Sequence, residues 1–400
     1  MRTLFITLIS VLFLNCAAES AKIQIKFNKN FTPRHVIEIE NLEEIPSLAG
    51  SISESFSILQ NGKEIPAHVI INPLTGNHSL LLYPEVEKKS KIQYLSGKQP
   101  QSFAPLTYAE LWHKTGGQFV DRKYVGGGDF VEAKRIRVPD ECTDHSFYIK
   151  YEGPGWESNL VGYRFYLDWR NAVDVYGKKT SEMILSGVGQ DGYDSYHEMQ
   201  PWGMDVLKVG TTLGVGTIAF WNGEAAERVA ETDSVTCQIL SNGGLRAQIQ
   251  TNYYGWQTND FKTNLQSFLS IDANSRLTKQ ILLFDKAPNN VCTGIYIDKK
   301  AEKIELQSGN WTCLATWGAQ SLNADNLGLC VFAKTNQIIS NTADKKNYVL
   351  VIKPENNIAI WYFGAAWELE PNGIKTKEEF IAYLEGQLKM LNHPDLVKVK

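Results

Sequence analysis

The chain has 400 residues and a formal net charge of −4, without a basic stripe, which argues against a nucleic-acid partner. Its length exceeds what one small core needs and suggests a small and a large domain. With 10 Trp, 17 Tyr and 17 Phe it has the aromatic balance of many β-rich sugar-binding proteins, although most of these rings belong in a core.

Residues 1–20 read as a signal peptide, with Arg2 as the positive flank and Leu4–Leu14 as an apolar run too short to span a bilayer. Cys16 resembles the anchoring cysteine of a bacterial lipoprotein; ordinary cleavage near Ala17–Ala21 is the alternative. The expected location is the periplasm, with the protein either soluble or lipid-anchored to the outer membrane. Cys142, Cys237, Cys292, Cys313 and Cys330 form no CxxC pair, so a zinc ribbon is not expected. They read as small buried side chains, with one disulfide an option in an oxidising compartment.

Residues 21–102 read as a small β-sandwich-like domain. Strands are predicted over Lys22–Phe27, Val36–Glu40, Phe56–Gln60, Ile65–Ile71 and Ser79–Tyr83, and Asn61-Gly62 is a tight-hairpin signal. Glu85–Lys91 reads as a turn and Ser96–Ser102 as a linker. His35, His68 and His78 are isolated and read as structural.

Residues 103–400 form the large domain. His113 follows Leu111-Trp112 and is either a site residue or a structural histidine. The Gly126–Gly128 triplet lacks the Lys-Ser/Thr of a phosphate loop and instead lets backbone pass close to a ligand or strand. Ser146–Glu152 is predicted as a strand, followed by a Gly153-Pro154-Gly155 turn. Leu160–Trp169 alternates again, with Val161, Tyr163, Phe165, Leu167 and Trp169 on one face and Arg164 and Tyr166 on the other. Arg164 either points at a ligand from a concave sheet or makes a cross-strand ion pair. Arg170 sits where strand meets loop.

The densest chemistry lies in Gly189–Gly210, which contains Tyr193, Asp194, Tyr196, His197, Glu198, Trp202, Asp205 and Lys208. Its glycines and Pro201 exclude a continuous helix, so it reads as a long loop entering a strand near Met204–Val209. Long loops on rigid scaffolds aim side chains at ligands. A histidine, phenols, carboxylates and a flat indole together suit sugar chemistry. His197-Glu198 lacks a second histidine at helical spacing, so it is no zincin motif; a metal shared by His113 and His197 stays open, but no metal or cofactor is expected.

Further strands are predicted over Val215–Trp221, Val235–Ile239, Leu245–Tyr253, Asn264–Ile271, Leu277–Phe284, Thr293–Ile297, Trp311–Trp317, Leu327–Ala333, Val349–Lys353 and Ile358–Phe363. Thr376–Leu391 closes the chain as an amphipathic helix, with a Thr376/Glu379 capping box and a Phe380, Leu384, Leu388, Leu391 stripe.

Two segments carry a resemblance. WESNLVGYR at Trp156–Arg164 resembles a tryptophan–acid–Asn/Asp–hydrophobic–Arg signature. YHEMQPWGMDVLKVG at Tyr196–Gly210 resembles a tyrosine–histidine, glycine–apolar–Asp and Lys-Val-Gly signature. Both belong to a family of secreted bacterial proteins, long labelled a domain of unknown function, that includes the ulvan oligosaccharide dehydratases. The resemblance covers roughly residues 100–390 and departs from the pattern at Gln200-Pro201-Trp202. It implies a mainly β fold: a galactose-mutarotase-like antiparallel β-supersandwich with a concave sugar face, after the small N-terminal β domain.

The resemblance also implies water elimination across C4–C5 of a non-reducing-end uronic acid, giving a 4,5-unsaturated uronyl end. The substrate would be a uronic-acid-containing oligosaccharide, sulfated and algal in origin. Such a reaction needs a base for the C5 proton, an acid for the C4 hydroxyl and a cation for the developing carboxylate charge. His197 is assigned as base, Tyr196 as acid and Arg164 as cation. The first two roles are exchangeable, and Tyr193 or His113 is an alternative partner. Trp156 and Trp202 would be stacking walls, with Glu157, Lys208, Tyr193 and Arg170 orienting substrate. The rival readings are a polysaccharide lyase, a mutarotase or epimerase, and a non-catalytic carbohydrate-binding envelope protein.

Overall fold

The computed structural model describes residues 20–27, 34–52, 55–87 and 91–400; the expected signal stretch up to residue 19, Cys16 included, lies outside the described residues. The chain is mainly β, with antiparallel sheets and a C-terminal helix, as expected.

Two small sheets form the N-terminal unit. One holds Leu396–Val399, Ser20–Lys26, Ile92–Ser96, Phe56–Gln60 and Lys63–Ile65; the other holds Ile37–Ile39, His78–Leu82 and Ala67–Ile71. Ile23, Ile58, Leu80, Leu82, Ile92 and Tyr94 fill the space between them. Asn61 (φ 51°) and Gly62 (φ 84°) make the hairpin turn the sequence signals. The expected Ile65–Ile71 strand is split at Pro66, and its halves join different sheets. Proline has no N–H to give a ladder, so the chain changes sheets there. The Leu396–Val399 strand pairs with Ser20–Lys26, returning the chain's end to the small unit rather than the large one.

Among the described residues, a 14-stranded antiparallel sheet runs from Gly203–Asp205 at one edge to Ala301–Ser308 at the other. It packs on a five-stranded sheet that includes Val291–Tyr296 and Asn347–Ile352. Leu269, Leu282, Ile295, Leu350, Trp361 and Phe363 are buried in this core, each contributing about 1.5–3 kcal/mol. The other face of the large sheet is covered in parts. Phe380, Leu384 and Leu388 of helix Lys377–Asn392 pack on Cys313, Trp317 and Phe332 at one end. Its capping box forms as the sequence suggests. Ile70, Leu81 and Tyr83 of the N-terminal unit pack on Leu245 and Ala273. At the opposite end, Leu185, Val188, Tyr193 and Tyr196 close over Tyr151 and Tyr176.

Ser146–Glu152 is not the expected strand. Phe147 (φ 57°), Tyr151 (φ 35°) and Glu152 (φ 69°) are left-handed, and Lys150–Glu152 forms one helical turn. The side chain of Lys150 explains the kink: it turns inward to Glu110 at 2.7 Å and donates to the Leu185 carbonyl at 2.9 Å. The Leu160–Trp169 strand is shorter than expected, ending at Phe165. Beyond it the chain turns at Asn171 (φ 39°), leaving Trp169 exposed instead of on the core face. The strand expected near Met204–Val209 is only Gly203–Asp205.

Candidate active site

Three neighbouring strands bring the site together. Arg164 on Val161–Phe165 lies opposite Asp174 on Val173–Lys178, and Tyr176 of that strand lies opposite Asp205 on Gly203–Asp205. Period-two alternation puts all four side chains on one face of the sheet. Gly203 allows the last strand to dock. At its φ of 132°, a Cβ would stand 1.9 Å from the Gly177 carbonyl oxygen. The single turn Ser195–His197 then closes over this face.

Arg164 is 2% exposed, and both its terminal nitrogens and Nε are engaged. Nε and Nη2 donate to Asp174 Oδ2 at 3.1 and 2.8 Å, and Nη2 also reaches Asp205 Oδ2 at 2.8 Å. Nη1 donates to the Tyr196 hydroxyl at 2.9 Å and the Tyr151 carbonyl at 3.3 Å. Tyr166 donates its hydroxyl proton to Asp174 Oδ2 at 2.8 Å. The cross-strand ion pair, one of the two sequence readings, is what the fold contains. The other reading, a fork offered to a substrate carboxylate, is corrected: the fork is already filled by Asp174 and Asp205.

Burying ions costs several kcal/mol each unless they are paired and hydrogen-bonded. Here one cation faces two carboxyl groups. Burial, with repulsion from Asp174, pushes Asp205 well above the usual carboxylate range. Asp205 therefore favours holding a proton, which balances the buried charge.

His197 lies at the solvent edge of this network. Its side chain is 45% exposed, and Nε2 stands 3.5 Å from Asp205 Oδ2. The imidazole lies against the Tyr196 ring, with centroids 4.6 Å apart. Burial, then the Arg164 charge, lowers its pKa from the ordinary 6.5, so the ring is neutral at neutral pH. Burial pushes the Tyr196 phenol up to about 12, against the opposing pull of Arg164, so it keeps its proton. A half-exposed imidazole able to take a proton thus adjoins a protonated phenol that is itself only 1% exposed and held by a guanidinium.

The family model described as "Domain of unknown function (DUF4861)" matches residues 36–397. The chain belongs to this family. No curated protein matches it. Among solved structures it is similar to a protein in the glycosyl hydrolase family 38 from Enterococcus faecalis, with a TM-score of 0.46, 6% identity, 96% of this chain and 47% of that chain covered. It is also similar to an alpha-mannosidase from Enterococcus faecalis V583, with a TM-score of 0.43, 7% identity, and 96% and 46% covered. The chain spans just under half the length of either structure.

Of the other residues expected in the site, this DUF4861 chain places several elsewhere. Trp156 is 1% exposed and donates to Thr278 Oγ1 at 2.8 Å, so it is core and not a stacking wall. Glu157 is fully buried, paired with Lys178 at 2.6 Å and accepting from the Ile184 and Leu185 N–H groups, which makes it a clamp on the loop and not a substrate group. Tyr193 stacks on Phe147 and donates to the Ile149 carbonyl at 2.6 Å, fixing the loop. Its phenol is committed and cannot be the alternative acid. His113 packs on Tyr148 and bonds the Lys114 carbonyl, with no contact to His197 among the described residues. Trp202 is half-buried, edge-on to Tyr176 at 6.0 Å. Lys208 is exposed.

Arg170 is 8% exposed and bound to Asp144, Glu152 and Asp168, so it too is spent internally. Asp144, His145 and Glu152 come close enough to share a cation, but Arg170 already bridges the two carboxylates at 2.7 Å each. A guanidinium therefore supplies the positive charge that an ion would bring.

Asp174, Asp205, Tyr166 and Tyr176 also belong to the site; the sequence marks Tyr166 only as sharing a face with Arg164 and Asp205 only as one of the Gly189–Gly210 cluster. Asp205 had a signal, lying in the glycine–apolar–Asp element beside Tyr196-His197. Asp174 had only the alternation of Val173–Lys178.

Proposed function

We propose that the protein is a carbohydrate dehydratase acting on the non-reducing-end uronic acid of an ulvan-type oligosaccharide. The observation that carries this reading is the half-exposed His197 against the Tyr196 ring, with Asp205 and Arg164 behind it. His197 takes the C5 proton. The electron pair of that C–H bond becomes the C4–C5 double bond, the C4–O bond breaks, and Tyr196 protonates the departing hydroxyl, which leaves as water. Each proton transfer by a positioned group is worth about 10²–10⁴ in rate.

Arg164 acts through Tyr196 and Asp205 and does not touch substrate. By donating to the phenol oxygen it makes Tyr196 a better acid, and by holding Asp205 it fixes the carboxyl group behind His197. The leader-like N-terminus supports a periplasmic location for the protein, with Cys16 as a lipid-anchor candidate.

The test is His197→Ala. The expected outcome is loss of the ultraviolet absorbance of the unsaturated uronyl product with an unchanged circular dichroism spectrum. Near-wild-type turnover would remove His197 from the mechanism. Cleavage of the chain by the wild-type protein would instead favour a lyase.

A further inference from the structure

Trp169 lies on the turn that follows the Arg164 strand, and 44% of it is open to solvent. A single exposed aromatic is ordinary. This one forms a wall shared by two open clefts of about 320 and about 720 Å³. Asp168, Asn171, Thr232 and Asp233 line the first, and Glu227, Glu231, Gln257 and Asn259 the second. The indole is held in place from one side. Arg228 sits 5.4 Å from its centroid and is itself tied to the Thr212 carbonyl at 3.2 Å.

A flat apolar surface bordered by hydroxyls, amides and carboxylates matches a pyranose. The C–H face of the sugar ring stacks on the indole, and its hydroxyls donate to the carboxylate and amide oxygens. Charge then selects among sugars. In the first cleft Asp140, Asp168 and Asp233 are each paired with a cation, Arg137, Arg170 and Lys262, whereas in the second Glu227 and Glu231 stand against Arg228. Carboxylates outnumber cations in the second cleft, which disfavours a sulfated or uronic unit there.

The clefts also connect to the site already described. Asp168, the neighbour of Trp169, binds Arg170, whose guanidinium lies 4.0 Å over the Tyr166 ring. The Tyr166 hydroxyl is part of the Arg164–Asp174 network.

We propose that Trp169 is the stacking platform of a binding subsite for an uncharged pyranose unit of a glycan chain. This rests on the carbohydrate reading above, and it adds the substrate's neutral part to the terminal acid. The test applies the full chain, Trp169→Ala, Trp169→Phe and His197→Ala to an array of neutral, sulfated and uronic plant and algal oligosaccharides. Affinities are then measured by calorimetry.

The wild type and His197→Ala are expected to retain neutral oligosaccharides. Trp169→Ala should bind them about tenfold or more weakly, and Trp169→Phe should recover part of the loss. Retention of sulfated or uronic glycans alone, no retention at all, or equal affinity in Trp169→Ala would overturn the proposal. Trp169-dependent binding without any unsaturated product would keep the subsite and remove the dehydratase reading. Unsaturated product with binding that ignores Trp169 would do the reverse.

Discussion

His197 and Arg164 meet at one carboxylate oxygen. Oδ2 of Asp205 lies 3.5 Å from the imidazole Nε2 and 2.8 Å from the guanidinium Nη2. The two residues come from separate segments, each carrying one of the signatures, and the edge strand Gly203–Asp205 supplies the group they share. The exposed partner can do chemistry, and the buried partner sets its surroundings.

Asp205→Asn tests that shared group. The amide keeps the shape but cannot give up or take back the proton that Asp205 favours holding beside His197. We expect kcat to fall about 10²–10⁴-fold with KM little changed. A change in KM alone would make Asp205 a structural residue.

Arg164→Ala should act on stability as well as rate. It leaves Asp174 and Asp205 buried without their cation, a loss of about 3–5 kcal/mol. Arg164→Lys should lose less but still unfold at lower denaturant, because an ammonium cannot bond Asp174, Asp205 and Tyr196 together. Urea denaturation checks both, and wild-type midpoints would contradict the buried network.

The pH profile follows from His197. Its pKa is held below the ordinary 6.5, so the base form persists to lower pH than for a free histidine. The acid limb of kcat/KM should therefore fall below pH 6.5. A limb centred above that value would contradict a partly buried His197 beside Arg164.

His68 gives an independent stability test at the junction of the two units. Burial, then Arg246, lowers its pKa from 6.5 to about 4, and its Nε2 is unpartnered. The fold holds His68 neutral, while the unfolded chain takes a proton below 6.5. Stability should therefore fall as pH drops from 6.5 towards 4. The slope is at most about 1.4 kcal/mol per pH unit, reduced by its partial exposure. His68→Gln should flatten that slope in urea denaturation at successive pH values, and an unchanged slope would clear His68 of the effect.

The strands of the core were legible because their two faces differ. Leu277–Phe284 appears with the bounds its pattern suggests, and the helix with its Thr376/Glu379 cap. Ala301–Ser308 and Ile338–Ala343 are not among the predicted strands: both are edge strands in which only Ile304 is buried, so no buried apolar face marks them. Ser146–Glu152 misled because its alternation serves a buried lysine, not a ladder.

In the site, the chemistry-bearing residues were visible but their division of labour was not. Arg164 and Tyr166 share a face in sequence. Only the pairing with Val173–Lys178 shows that Asp174 occupies the guanidinium. Trp156 and Glu157 stand in a signature because they hold the sheet and loop in place, a role no residue type announces.

Mass spectrometry of uronic-acid-terminated oligosaccharides from a sulfated algal polysaccharide, incubated with the wild-type chain and with His197→Ala, decides whether water is eliminated and whether His197 removes the proton. The wild type is expected to remove the mass of one water with the sugar chain intact, and the variant to leave the substrate unchanged. Shortened chains, an unchanged substrate with the wild type, or equal water loss in both proteins would contradict that expectation.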